Sequence, residues 1–121
     1  QKYRNIVEKT LETFGHSIND YPYAHPTALF VHNYLFKGPI EIAIVGDKSD
    51  GPLVKIARNY LLPYKIMAFS DEELDIPLLS QKLKIDNKQT SYICHNYTCD
   101  SPITDSEELD KVLSTLFKKS Y

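Results

Sequence analysis

Cys94 and Cys99 are the two cysteines of the chain, spaced C-x4-C around His95-Asn96-Tyr97-Thr98. A thioredoxin-type dithiol uses C-x-x-C at the start of a helix, where the helix end depresses a thiol pKa. Neither the spacing nor any helix signal at Cys94 fits that chemistry, so a catalytic dithiol is not expected. Zinc in a closed site needs four ligands, and His16, His25 and His32 all lie far from the cysteines in sequence. Cys94 and His95 are adjacent on an extended segment, which turns them to opposite faces. No metal site is expected. Two readings stay open for the pair: structural, partly buried thiols, or a disulfide in a chain that turns back at Asn96-Tyr97.

The second constellation is acidic. Asp47, Ser70, Asp71, His95 and Asn96 follow or close three apolar runs. In a parallel sheet the carboxyl ends of the strands gather on one edge, where ligands usually bind. An acid-and-histidine cluster there could do general acid–base work, which makes Asp47, Asp71 and His95 the candidate catalytic residues. Strand ends are also where polar turn residues collect, so the same positions carry an ordinary structural reading. Gly46-Asp47-Lys48-Ser49-Asp50-Gly51 joins a strand to a helix, a place where α/β proteins bind phosphate. It is neither G-x-G-x-x-G nor a Walker loop, and both carboxylates oppose an anion. Asp47 and Asp50 read instead as turn and cap residues, and no cofactor is expected.

These residues must be positioned by the elements around them. Ile40-Glu41-Ile42-Ala43-Ile44-Val45, bounded by Gly38-Pro39 and Gly46-Asp47, predicts a strand buried on both faces. A helix is expected from Pro52 to about Leu62, with Asp50 as cap and Pro52 in the first turn. Lys65–Phe69 predicts a second strand, completing a β-α-β unit whose strands run parallel. The acidic Glu72-Glu73-Leu74-Asp75 reads as a solvated loop, and Pro77–Lys84 as a short helix. Asp86-Asn87-Lys88 should turn into a third strand at Ser91–Cys94. Thr104 with Glu107 forms a capping box ahead of Leu109, Val112, Leu113, Leu116 and Phe117. The acidic start and Lys118-Lys119 at the end suit the dipole of that last helix.

Upstream, Val7, Leu11, Phe14 and Ile18 form an amphipathic stripe, with Gly15 expected to end the helix near Phe14. Tyr21–Pro26 is a breaker. A second helix is expected from Thr27 to Phe36, with Gly38 beyond its end. Its Leu29, Phe30, Val31, Tyr34, Leu35 and Phe36 cover most of the circumference, so it asks for burial on two sides. The fold expected is α/β: a small three-stranded, mainly parallel sheet with flanking helices, preceded by an N-terminal helical hairpin. The organisation is residues 1–37 as the hairpin and residues 38–121 as a small Rossmann-like domain. A receiver domain of similar length would need an acidic pair after a first strand near the N-terminus, where this chain has helices.

At 121 residues, 42% hydrophobic and 25% charged, the chain suits one soluble core. A net charge of −2 without a Lys/Arg cluster argues against nucleic acid as partner. No apolar run approaches the roughly 20 residues that span a bilayer, so no membrane partner is expected. A soluble chain results, with the cytoplasm preferred over other compartments. No signal peptide is visible, and the start at Gln1 suggests an excised fragment of a longer parent.

The stretch Tyr92–Leu109, Y-I-C-H-N-Y-T-C-D-S-P-I-T-D-S-E-E-L, is distinctive. It resembles the C-terminal end of the spermatogenesis-associated protein 20 family, whose long proteins join a thioredoxin-like domain to an (α/α)6 barrel. There a pattern like Y-x-C-x-N-x-x-C-x-x-P-x-T-x-x-E-E-L closes the chain. Ile42-Ala43-Ile44-Val45-Gly46 is similar to the same family's VVIVG segment, and the resemblance runs from about Tyr21 to Phe117. It implies that residues 1–36 are the last helices of a barrel resembling the N-acylglucosamine 2-epimerase type, built to be covered by further helices. The family's C-x-x-C is absent from this chain, so no catalytic residue is carried over. Three functions follow as expectations. The first is a non-catalytic C-terminal domain packed on the remainder of the parent chain. The second is a domain contributing to a sugar-processing or redox active site. The third is a metal or redox-switch module using Cys94, Cys99 and His95. The isolated chain is expected either to self-associate through Leu29, Phe30, Tyr34 and Phe36 or to hold these helices loosely.

Overall fold

A computed structural model describes residues 2–72, 74–96 and 98–120, without the side chain of Ser120. Gln1, Glu73 of the acidic stretch and Tyr97 of the expected turn lie outside the described residues. By its internal contacts the chain divides into two units, Gln1–Gly38 and Pro39–Tyr121.

In the first unit, α1 (Lys2–Asp20) runs straight through Gly15 rather than stopping near Phe14. A mid-helix glycine costs only about 0.5–1 kcal/mol, and the apolar stripe continues past it to Ile18. A 3-10 turn at Pro22–Ala24 follows, then α2 (Pro26–Lys37). Gly38, at φ 76°, ends α2 and donates its N–H to the Tyr34 carbonyl. Only glycine takes that left-handed backbone without a Cβ penalty. Ser17 Oγ and His25 Nε2 lie 2.9 Å apart and tie the corner between the helices. Neither helix has a buried residue.

The second unit holds β1 (Ile40–Val45), α3 (Pro52–Asn59), β2 (Lys65–Ser70), β3 (Thr90–His95), β4 (Thr98–Cys99) and α4 (Ser106–Ser120). The sheet has four strands in the order β2-β1-β3-β4. β1 pairs parallel with β2, but antiparallel with β3, and β3 pairs antiparallel with β4. The three-stranded, mainly parallel sheet is therefore corrected to a mixed four-stranded one. The reason is visible in the register. Ser70, the last residue of β2, and Thr90, the first of β3, both pair with Val45. The chain thus begins and ends the 71–89 connection at the same edge, and can only run back antiparallel to β1. A parallel return would need a crossover to the far edge.

Among its described residues that connection contains no helix. The helix expected over Pro77–Lys84 is a single turn, with Leu79 and Ser80 N–H groups donating to the Ile76 carbonyl, and Gln81 at φ 61° leaving the helical region. Asp86 and Asn87, at φ 50° and 57°, form the tip of a hairpin between Ile85 and Lys88. Aspartate and asparagine tolerate that region better than other non-glycine residues.

Alternation along β1 divides the core. Ile42 and Ile44 pack with Leu53, Val54, Ala57, Ile93, Leu109 and Leu113 beneath α3 and α4. Ala43 and Val45 face the other way, against Leu79, Leu78, Ala68 and Tyr92. Tyr92 also donates its hydroxyl to the Leu83 carbonyl at 2.7 Å, which pins the connection across that face. α3 ends at Asn59 rather than Leu62, because Lys65 Nζ donates to the Ala57 and Tyr60 carbonyls and closes the helix there. α4 starts one residue later than the capping box predicted. Ser91 and Ile103 exchange both backbone hydrogen bonds, at 2.8 and 2.9 Å, so the chain is still leaving the sheet at Thr104. Asp105 Oδ1 accepts the Glu108 N–H at 2.9 Å and caps instead.

Candidate functional site

The antiparallel β3 separates the candidate acid–base residues. Asp47 follows β1 and Asp71 follows β2, on the edge that Val45, Ser70 and Thr90 share. His95 pairs with Ile40 at the opposite end of the six-residue strand β1. Five residue steps at about 3.3 Å each put roughly 17 Å between the edges, beyond any shared proton transfer. The expected cluster of Asp47, Asp71 and His95 does not form.

Around Asp47 the groups are engaged structurally. Lys84 Nζ pairs with Asp47 Oδ1. Asp50 does not cap α3, whose N-cap is Gly51 with no side-chain cap of its own. The cap comes from Gln89, just ahead of β3: its Oε1 accepts the Leu53 N–H at 3.1 Å, and its Nε2 donates to the Lys48 carbonyl at 2.8 Å. Both glycines of the loop make room for it. A Cβ on Gly51 would sit 2.5 Å from the Gln89 amide, and one on Gly46 would sit 2.9 Å from Gln89 Cα. The helix N-terminus where an anion would bind is filled by an amide oxygen, and the cleft left beside it measures about 180 Å³. Sequence reasoning missed Gln89, because its partners lie 36 and 41 residues away. The glycine at each end of Gly46–Gly51 was the one signal of a close approach.

At the other edge, Cys94 and Cys99 stand opposite each other in the β3–β4 ladder, with Sγ atoms 2.09 Å apart in a disulfide. Asn96, at φ 49°, opens the turn between them. Cys94 is buried and Cys99 exposed. His95, one residue along β3, pairs with Thr98. Among the described residues no cluster of three or more histidine, cysteine or acidic side chains could hold a metal ion. No helix among them is long and apolar enough to cross a membrane.

A cavity lies within the first unit. It measures about 570 Å³ and is lined by Leu11, Gly15, Ile18, Pro22, Leu29 and His32, with Glu12 and Asn19. Its walls are mostly apolar. In the same unit Phe36 is 82% exposed and Tyr23 99%.

Over 82 aligned positions the chain is 32% identical to spermatogenesis-associated protein 20 of Homo sapiens, covering 60% of this chain and 10% of that protein. Over that stretch the chain is a homologue of spermatogenesis-associated protein 20. The proteins of the same name from Rattus norvegicus and Mus musculus match at 30% identity with the same coverage. The chain thus spans about a tenth of the length of these curated relatives. No protein-family model matches it, and no solved structure matches it. What the homology to spermatogenesis-associated protein 20 supports is a domain belonging to a larger protein. Within that domain, the chemistry-bearing residues brought together are Cys94 and Cys99, and the carboxylates are held apart from His95.

Proposed function

We propose that this chain is a non-catalytic structural and interaction portion from the C-terminal end of a longer multidomain protein. In this reading α1 and α2 are the last helices of a helical barrel, the α/β unit packs on that barrel's end, and a thioredoxin-like domain lies elsewhere in the parent. The observation that carries it is the first unit itself. Two helices of 19 and 12 residues bury none of their side chains and leave an apolar groove. Helices gain most of their stability from a packed apolar face, so these ask for a partner. The relatives' additional length gives a source for one within the same chain.

The test compares amide exchange in the 121-residue chain and in a longer parent containing it. Protection of α1 and α2 should appear only in the parent, with β1 equally protected in both. Equal exchange of α1 and α2 in the two would sink the proposal. A second reading, in which the cysteine pair is a redox module, is favoured by the disulfide between β3 and β4.

A further inference from the structure

β4 is two residues long and forms the edge of the sheet. Its hold on β3 consists of two register pairs, Cys94 with Cys99 and His95 with Thr98, and the disulfide lies on the first of them. The two residues differ in access. Cys94 is 1% exposed, whereas Cys99 belongs to the exposed residues. Cys94 belongs to the buried core, but the two apolar clusters that hold the sheet to its helices and to the 71–89 connection are built from other side chains. Immediately downstream the chain is anchored again without sulfur: the Asp100 N–H donates to the Ile93 carbonyl at 2.9 Å, and Ser91 and Ile103 bond reciprocally. The covalent link therefore closes a small hairpin between anchors that do not depend on it.

We propose that Cys94–Cys99 is a site of thiol–disulfide exchange with an external dithiol, and that its reduction unclasps β4 from the edge of β3. The geometry decides the direction of attack. A thiolate of the dithiol reaches Cys99 Sγ from solvent, forms a mixed disulfide with it, and breaks the Cys94–Cys99 bond. Cys94 leaves as the thiolate and takes up a proton. The second thiol of the reagent then attacks its own sulfur in the mixed disulfide and releases Cys99 as a thiol. Two electrons pass to the protein, and the dithiol is oxidised to its disulfide. Losing the link leaves β4 with one further register pair at the hairpin tip, and short edge strands open easily. The backbone of Cys94 and His95 on β3 then becomes an unpaired strand edge, the kind of surface to which another strand can add. This proposal stands independently of the docking of α1 and α2.

The test uses the whole 121-residue chain, oxidised and then reduced with dithiothreitol as the probe. Amide exchange over 94–99 should accelerate by about tenfold or more on reduction, while Ile42–Ile44 keep their protection. Single-cysteine variants separate the two sulfurs. With oxidised glutathione, Cys99 in Cys94→Ser should form a mixed disulfide about tenfold faster or more than Cys94 in Cys99→Ser, because exchange rates follow access as well as thiolate fraction. Unchanged exchange at 94–99 on reduction, loss of β1 protection with it, or equal reactivity of the two thiols would each overturn the proposal. The comparison on the unmodified chain holds even if Cys94→Ser fails to fold.

Discussion

Gln89 shows how one side chain changes the meaning of a loop. In sequence, a glycine-bounded turn between strand and helix reads as a place for phosphate. In space, the turn wraps an amide that caps α3 and bonds back to Lys48. Gln89→Ala should lose the cap and destabilise the unit by about 1 kcal/mol, the usual cost of removing a cap. Gly46→Ala should cost more, about 1–3 kcal/mol, because its Cβ meets the backbone of Gln89 and not a flexible end. Gly51→Ala meets only the amide, which can swing away at the expense of the cap. Its cost should therefore nearly vanish when Gln89 is already alanine. Urea denaturation of the two single variants and the double variant measures that coupling, and additive losses would show the glycine has another task. The spacing of Cys94 and Cys99 left structural thiols and a disulfide both open, and the β3–β4 register brings them together as a disulfide. The Gln89 contact was not legible, since no local pattern marks a bond across 36 residues.

At the scale of elements, the first three strands and the parallel β1–β2 pair were readable, while the direction of β3 and the short β4 were not. Ile40–Val45 and Lys65–Ser70 announced themselves through β-branched and apolar runs. The direction of β3 depended on whether residues 71–89 cross the sheet, and a leucine-bearing stretch that stops after one turn looks in sequence like the start of a helix. The α3–α4 pairing offers a sharper test. Tyr60 donates its hydroxyl to Asp110 Oδ1 at 2.8 Å, linking the end of α3 to α4. That hydrogen bond, with burial and the Asp110 charge behind it, raises the phenol above its ordinary 10.0. The folded state then holds this proton to higher pH than the unfolded chain does. The contribution is complete below pH 10 and is lost as pH rises through the raised value. Lys65, lowered from 10.5 by burial, acts with opposite sign, since the unfolded chain binds its proton more tightly. Comparing Tyr60→Phe with the parent sequence cancels the Lys65 effect. The variant should have a lower urea midpoint at pH 8, and the gap should close above pH 10. A gap that persists or widens there would mean the hydroxyl bond contributes nothing.

For the whole molecule, the question is what covers the exposed apolar side chains of the first unit. Fully burying one Leu- or Phe-sized side chain contributes about 1.5–3 kcal/mol. Leu29 and Phe36, at 41% and 82% exposed, have part of that still to gain. If both copies of a symmetric dimer bury both, the gross gain is at most about 6–12 kcal/mol. Association itself costs about 4–15 kcal/mol, so the surplus reaches the roughly 8 kcal/mol of a micromolar complex only at the favourable limit of both ranges. A helix elsewhere in the same chain avoids most of that cost, because a tether gives an effective concentration near the millimolar range. For Leu29 and Phe36 these magnitudes favour docking within one chain over a stable dimer. The 121-residue chain should accordingly self-associate weakly, with a dissociation constant above about 1 μM, and double replacement of Leu29 and Phe36 by lysine should abolish it. Sedimentation velocity across a hundredfold range of concentration, with exchange at Ile42–Ile44 as a control for folding, reads both outcomes. A tight dimer that survives the two lysines would place the contact on another surface and remove the case for covering helices.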